Sequence, residues 1–344
     1  MKLIYFILIF LVNIHLVASQ DYKIAALYWS MNIEGQVAMR KGLEAQVTTI
    51  TTKAKKNNQK KITLLPYVAG DGEAGMEKQL QQFRDAIKRN VDAIVVQPTD
   101  NAVLIPALQE ANKANIPVIA YDQYISDGKL ASFVTSDNYQ AGFLNGEYIA
   151  HLFKNKKNLQ IALVEYPYVS STIERVDGFI DALEKYKIKY KIVKRYEAVE
   201  PKRGKIVGLS ILKDFPHRSS LDLLFCVNDG GCLAIADELL KANRMDIAIA
   251  TVDGDPKSLQ LIKENKLIKI DSAQFCGPIG SVALQTAYDK LLGKKIKETI
   301  LVPVFPITKE TQKIYPGWLG PIPNNFIKPW KSKTPIWNNA LKEK

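Results

Sequence analysis

Cysteine is scarce in this chain: the 344 residues hold three, Cys226, Cys232 and Cys276. A disulfide-dense scaffold is excluded, and an odd count leaves at least one thiol without an intrachain partner. Cys226 and Cys232 are close enough in sequence to pair across a strand-to-helix turn, although spacing does not fix their geometry. Histidine is as sparse. Beyond the first twenty residues only His151 and His217 remain, and no H-E-x-x-H occurs, which argues against a histidine-rich zinc site. There is no G-x-S-x-G elbow for an exposed serine nucleophile. There is no G-x-x-x-x-G-K-[ST] phosphate loop either, so the chain does not power any transport with ATP by itself. No cofactor is called for. After Val17, no apolar run is long enough to cross a bilayer.

The start of the chain is built differently from the rest. Lys2 is followed by an apolar run from Leu3 to Val17 and by small residues at Ala18 and Ser19. This order predicts a signal peptide over 1–19 and an exported chain from about Gln20. No Cys follows the run, so a lipid anchor is not expected. The formal net charge is +12. The basic residues are scattered over many segments with no aromatic interleaving, which fits solvated helix ends better than a nucleic-acid surface.

From residue 23 onward, short apolar runs alternate with helical spacing. Strands are predicted at 23–28, 62–68, 91–96, 117–121 and 132–135, with helices at 35–47, 76–90 and 105–115 between them. The alternation then starts again. Helices are expected at 140–153, 171–186, 204–215, 231–243 and 256–265, and strands at 160–165, 190–196, 221–227, 247–252 and 268–273. A long helix at 278–292 and an extended run at 300–304 follow. Such alternation predicts βαβ units and parallel sheets, and two arrays of similar size predict two similar lobes. Gly70, Gly72 and Gly75 fit G-x-G-x-x-G. They follow a second strand, and the downstream Asp92 precedes its strand instead of ending it, so they read as a turn near a cleft and not as a dinucleotide fingerprint. From Tyr315 on, Pro and Gly break helix and strand alike, while Trp318, Trp330 and Trp337 make the segment apolar. It is either an extension packed along the lobes or a docking segment for another protein.

The most informative stretch is Asn115–Gln123, N-I-P-V-I-A-Y-D-Q. It reads as a buried strand that delivers Asp122 and Gln123 at its carboxyl end, where ligands sit in open α/β sheets. Asp122 is then a ligand contact or a turn cap. Similar pieces recur in order: Q-P-T-D at Gln97–Asp100, S-D-N at Ser136–Asn138, G-E-Y-I-A at Gly146–Ala150 and E-R-V-D-G-F at Glu174–Phe179. F-C-V-N-D at Phe225–Asp229, V-D-G-D-P at Val252–Pro256 and A-Q-F-C-G-P-I-G at Ala273–Gly280 complete the series. In this series the chain resembles the ribose-binding-protein type of periplasmic sugar-binding protein, from about Lys23 to about Pro306.

The resemblance implies an α/β fold of two doubly wound parallel-sheet lobes, joined by a hinge of several chain crossings near Thr135, Gln274 and Val302. Lobe one would be 22–135 plus 275–302, lobe two 136–274 plus 303–315, and 316–344 a C-terminal extension. A ligand would lie between the lobes. Sugar hydroxyls call for carboxylate acceptors, Arg and Asn donors and an aromatic face. Asp122, Arg175, Asp253 and Gln274 match the ligand-binding positions of the family. Asn228 could bond two hydroxyls or cap a helix. Gln123 stands where ribose binders carry Arg, which removes a charged fork. The first loop also departs from the family's stacking rings: Trp29 or Tyr28 would supply a flat apolar face and Asn32 or Glu34 a polar contact. A Trp29 packed under the loop is the other reading.

The expected function is a periplasmic solute-binding protein that captures a small sugar or polyol and delivers it to a membrane permease of the ATP-binding-cassette type. The alternative is a ligand sensor for a membrane histidine kinase or chemoreceptor, motivated by the Trp-rich tail. A glycosidase-like use of Asp122 and Asp253 is a third reading.

Overall fold

The structure is a computed structural model that describes residues 21–344; the expected signal peptide lies outside the described residues. The first array runs β1 (Tyr22–Tyr28), α1 (Glu34–Lys56), β2 (Ile62–Val68), α2 (Gly72–Lys88), β3 (Ala93–Val96), α3 (Ile105–Lys113), β4 (Val118–Tyr121) and β5 (Ser132–Ser136). The second opens with α4 (Asn138–Leu152), β6 (Leu159–Glu165), α5 (Ser170–Lys185) and β7 (Tyr190–Glu197). It continues through α6 (Pro201–Asp214), β8 (Leu223–Cys226), α7 (Asp229–Lys241), β9 (Ala248–Asp253), α8 (Pro256–Lys263) and β10 (Ile268–Ala273). Then come α9 (Cys276–Leu291), β11 (Thr299–Val302) and β12 (Phe305–Thr308). The tail adds β13 (Phe326–Ile327), β14 (Ile336–Trp337) and β15 (Lys342–Glu343).

The strands form two large sheets. The first has the order β15-β11-β5-β4-β3-β1-β2, the second β12-β10-β9-β8-β6-β7. The array pairings are parallel, and the late strands β12 and β15 pair antiparallel. Central strands read as unbroken apolar runs, A-I-V-V in β3, V-I-A-Y in β4 and L-L-F-C in β8, each with all four residues buried. That is what a strand covered on both faces requires. The edges look different. β2 lies at one edge and tolerates Pro66, which has no N–H to give. β7 lies at the edge of the other sheet and carries Lys191, Lys194 and Arg195, charges that discourage edge-to-edge pairing.

The chain passes between the sheets three times: from β5 to α4, from β10 to α9, and from β11 to β12. The extended run expected at 300–304 is therefore broken, its first half in one sheet and the residues after it in the other. Helices pack in close pairs beside these crossings. Between α4 and α5, a Cβ on Gly142 would lie 1.8 Å from the carbonyl oxygen of Arg175, and one on Gly178 would lie 2.0 Å from that of Tyr139. Only glycine permits this approach, and it seats the start of α5 against the first crossing.

Two expectations need correction. The turn expected at Gly70–Gly75 is shorter than that: Gly70 and Asp71 form it, and α2 already begins at Gly72, so Gly72 and Gly75 open the helix instead of preceding one that starts near 76. The tail is not without regular structure. β13 pairs with β14, and β15 adds to β11 of the first sheet. Its three tryptophans are used inside this chain. The Trp318 indole donates to the Asp253 carbonyl (2.7 Å), that of Trp330 to Glu147 (3.1 Å) and that of Trp337 to the Val304 carbonyl (2.8 Å). The tail thus touches every crossing: Gly277 N–H donates to the Trp318 carbonyl, Trp337 holds Val304, and Lys342 pairs with Asp137. Cys226 and Cys232 form a disulfide with a Cα–Cα distance of 5.8 Å, and Cys276 is a buried free thiol.

Candidate functional site

The candidate residues stand at the carboxyl ends of strands in both sheets. Asp122 follows β4 with φ 64°, a left-handed conformation that Asp tolerates better than most residues. Its carboxylate accepts from Gln97 Nε2 at 2.9 Å, and among the described residues it caps no backbone N–H. Burial raises the Asp122 carboxyl, while the Gln97 bond and the Arg175 charge pull it back. Gln97 directly follows β3 and is itself almost fully buried.

Arg175 enters from the first turns of α5 and is 6% exposed. Nε donates to Asn138 Oδ1 at 3.0 Å, and Nη1 donates to the Val227 carbonyl at 2.7 Å and to Asp253 Oδ1 at 3.2 Å. One guanidinium thereby joins the first crossing, the end of β8 and the end of β9. Nη2 has no protein acceptor among the described residues, which leaves donors for a guest. Asp253 also accepts from Gln274 Nε2 at 2.7 Å, and Gln274 accepts from the Ser136 hydroxyl at 2.7 Å. Gln274 thus bridges the first two crossings and the site. Burial raises Asp253, Arg175 and Gln274 lower it, and the charge of Asp122 raises it again. Asp253 feels the charge of Asp122, and both feel the same Arg175, which places residues of both sheets in one electrostatic neighbourhood.

Asn228 is the N-cap of α7: Oδ1 accepts from Gly231 N–H at 3.3 Å, and Nδ2 donates to the Val199 carbonyl at 3.0 Å. Each end of the amide keeps one further site for a ligand. Gln123 is half-buried and its side chain makes no hydrogen bond among the described residues. Trp29 is also half-buried, in a loop whose backbone is held by Gly70 and whose next residue, Ser30, is held by Gln36. Asn32 is exposed and paired with Asp71 at 2.7 Å, on the rim and not with the cluster. Tyr28 is not a stacking face for a ligand. It is 1% exposed, lies under Arg40 at 4.8 Å and directs its hydroxyl to Glu44.

Several members of the cluster were not singled out from the sequence. Gln97, Ser136 and Asn138 sit inside the quoted Q-P-T-D and S-D-N pieces, so their signal was present but unassigned. Trp318, which holds the Asp253 carbonyl from the far end of the chain, carried no local signal. Among the described residues no group of three or more His, Cys, Asp or Glu is arranged to hold a metal, and no helix is long and apolar enough to cross a membrane.

Known proteins give this arrangement a context. A model of the periplasmic binding protein domain matches residues 24–295. The ribose import binding protein of Bacillus subtilis is 30% identical over 296 residues, 86% of this chain and 88% of its own length. That of Escherichia coli is 27% identical, covering 73% of this chain and 84% of its own. Among solved structures, an ABC transporter periplasmic solute-binding protein from Actinobacillus succinogenes with bound D-allose has a TM-score of 0.72 at 26% identity, covering 86% of this chain and 100% of that one. A solute-binding protein from Bacillus halodurans with bound myo-inositol has a TM-score of 0.74 at 21% identity, covering 87% and 98%, a likeness of fold. Two sheets crossed three times, strand-end polar residues and a family match over most of the described residues lead to one conclusion: the chain belongs to the periplasmic binding protein family, in the type that includes the ribose import binding proteins.

Proposed function

We propose that this protein captures a small sugar or polyol between two closing lobes and delivers it to an ABC-type permease. The observation that carries this reading is the cluster of Asp122, Arg175, Asp253 and Gln274, acceptors and donors drawn from both sheets and the hinge. Carboxylates and a guanidinium of this kind match hydroxyls, which both give and accept hydrogen bonds. Contacts to both halves supply the differential affinity that drives closure. The named ligands of its relatives, ribose and D-allose, belong to this class. Gln123 brings no charged fork, so the hydroxyl pattern recognised differs from that of a site with a second guanidinium. We take lobe one as 22–135 plus 275–302 and lobe two as 136–274 plus 303–315, with export to the periplasm directed by residues 1–19.

The sensing alternative loses its motive, because the tryptophans that suggested a docking tail hydrogen-bond within this chain. A glycosidase-like role is not favoured either. Asp253 is held as an acceptor by Arg175 and Gln274, and the relatives are binding proteins.

A thermal-shift panel of D-ribose, D-allose and myo-inositol tests the reading. Ligand at a hundred times its Kd adds about 2.7 kcal/mol of stability. Asp122→Ala removes a charged acceptor and is expected to weaken the responding ligand by about ten- to a hundredfold in calorimetry. A panel with no response, or an unchanged Kd in Asp122→Ala, refutes it.

A further inference from the structure

Directly beneath the site lie two acids that no ion pair accounts for. Asp271 is on β10 and fully buried, and Asp229 opens α7 at 2% exposure. Neither has a Lys or Arg within salt-bridge distance among the described residues; the nearby guanidinium, Arg175, is engaged by Asp253. Their oxygens are turned to backbone instead. Both oxygens of Asp271 accept from the Gly254 N–H, at 3.0 and 3.1 Å. Asp229 accepts from the Thr251 hydroxyl and from the Asp255 N–H, each at 2.8 Å. These two amides directly follow Asp253.

The turn needs such support. Asp253 has φ 130° and Gly254 φ 84°, conformations that L side chains rarely adopt. A second observation points to the same spot. Tyr315, 8% exposed, brings its hydroxyl over Gly254, where a Cβ would meet it at 2.8 Å, and that hydroxyl is buried without a hydrogen-bond partner. The Ser258 hydroxyl of α8, also buried, faces Asp271. The groups around the pair are thus Thr251 and Asp253 from β9, Ser258 from α8 and Tyr315 from the tail, with Arg175 of α5 beyond Asp253.

We propose that Asp229 and Asp271 are positioning residues, which grip the turn Asp253–Asp255 and so hold the Asp253 carboxylate in ligand-binding geometry, building on the solute-capture reading above. Two adjacent buried carboxylates without a cation cannot both be ionised, so the pair keeps at least one proton. That proton bonds one acid to the other and leaves the remaining lone pairs for the amides. Burial, with Asp253 nearby, pushes Asp271 up to about 7. Burial and the charge of Asp271 raise Asp229 well above the usual range. The folded chain therefore binds more protons than the unfolded chain once the pH exceeds the ordinary carboxylate value. The pair's contribution to stability is intact below about pH 4 and declines as pH rises towards about 7. Loss of the Asp271 proton leaves a buried carboxylate with no cation beside it, while Asp229 keeps its own proton; that buried charge costs stability and loosens the turn.

Asp271→Asn imitates the protonated form: its amide oxygen accepts from Gly254 and its NH2 donates to Asp229. Asp271→Ala removes the grip. Hydrogen exchange of the peptide holding Gly254 and Asp255, followed by mass spectrometry without ligand, reads the turn from pH 5 to 8. Corrected for intrinsic rates, wild type is expected to lose protection about tenfold as the pH passes 7, Asp271→Asn to stay protected throughout, and Asp271→Ala to be unprotected at every pH. The Kd for D-ribose, D-allose or myo-inositol, whichever responds, is expected to follow the same pattern. An Ala variant as protected as wild type, or an Asn variant that keeps the wild-type pH profile, overturns the proposal. The exchange arm needs no ligand, so failure of all three sugars to bind strikes the solute reading alone and leaves the pair to be judged by the pH profile.

Discussion

Removing the ammonium of Lys328 is the most demanding test of how the tail is held. Lys328 and Glu147 form an ion pair at 2.5 Å with side-chain exposures of 2% and 0%. Glu147, on α4, also accepts from the Trp330 indole at 3.1 Å, the Ser332 hydroxyl at 2.7 Å and the Tyr186 hydroxyl at 2.7 Å. Breaking a buried pair on one side costs about 3–5 kcal/mol, because a charge is left uncompensated in a medium of low dielectric. Two facts pull Lys328→Met to the low end. Burial already lowers the Lys328 pKa, so the ammonium is not at ease there, and four neutral donors, counting the longer contact from the Thr334 hydroxyl, remain on Glu147. We expect a loss of about 3 kcal/mol. With an unfolding entropy of roughly 2 cal/mol/K per residue over about 320 residues, this lowers Tm by about 4–5 °C if the molecule unfolds as one unit. Calorimetric melting of wild type, Lys328→Met and the double variant with Glu147→Gln measures it. The double variant should regain part of the loss, since it buries no unpaired charge. A single variant that melts within about 1 °C of wild type refutes the reasoning.

Gly142→Ala should be severe for its size. The added methyl meets the Arg175 carbonyl at 1.8 Å, so α4 and α5 must part, at a cost of about 1–3 kcal/mol; melting should fall while sugar affinity drops with the displaced guanidinium, and unchanged affinity would show that Arg175 is not placed by this contact. Reducing the Cys226–Cys232 disulfide, which spans a sequence separation of 6, should cost about 2 kcal/mol by the chain-entropy model. A few degrees of Tm under reductant, abolished in a Cys226→Ser/Cys232→Ser variant, is the expected calorimetric result.

Most of the architecture was legible because apolar runs and helical spacing alternate so regularly. The unread parts have physical causes. α1 was expected to end at 47 but runs to Lys56. The T-T-I-T-T stretch has weak helix propensity, yet Ile50 and Ala54 continue the buried stripe of Leu43, so packing overrides propensity. α6 starts at Pro201 instead of 204, since Pro at the first helical position needs no donor. β15 was hidden because its pairing with β11 is decided by residues more than forty positions away. In the site, strand-end acids such as Asp122 and Asp253 were visible from position alone. Asp271 was not, because it lies within a buried strand and nothing in its neighbours signals the turn it holds. The partner of Asn32 was hidden for a related reason: sequence cannot show that Asp71 lies within its reach.

The C-terminal tail has one footing on α4 and α5, through Lys328 to Lys333, and another on the first sheet, through β15. Only residues 334–341 separate them, with Trp337 pinned on the Val304 carbonyl in the middle. The piece before Trp337 is itself tied back through the β13–β14 pair, and Asn339 after it is bonded to Asn325 and Pro323, so little loose chain lies between the two footings. A tail anchored at both ends in this way is a short leash laid across the two sheets, added to the strands that join them.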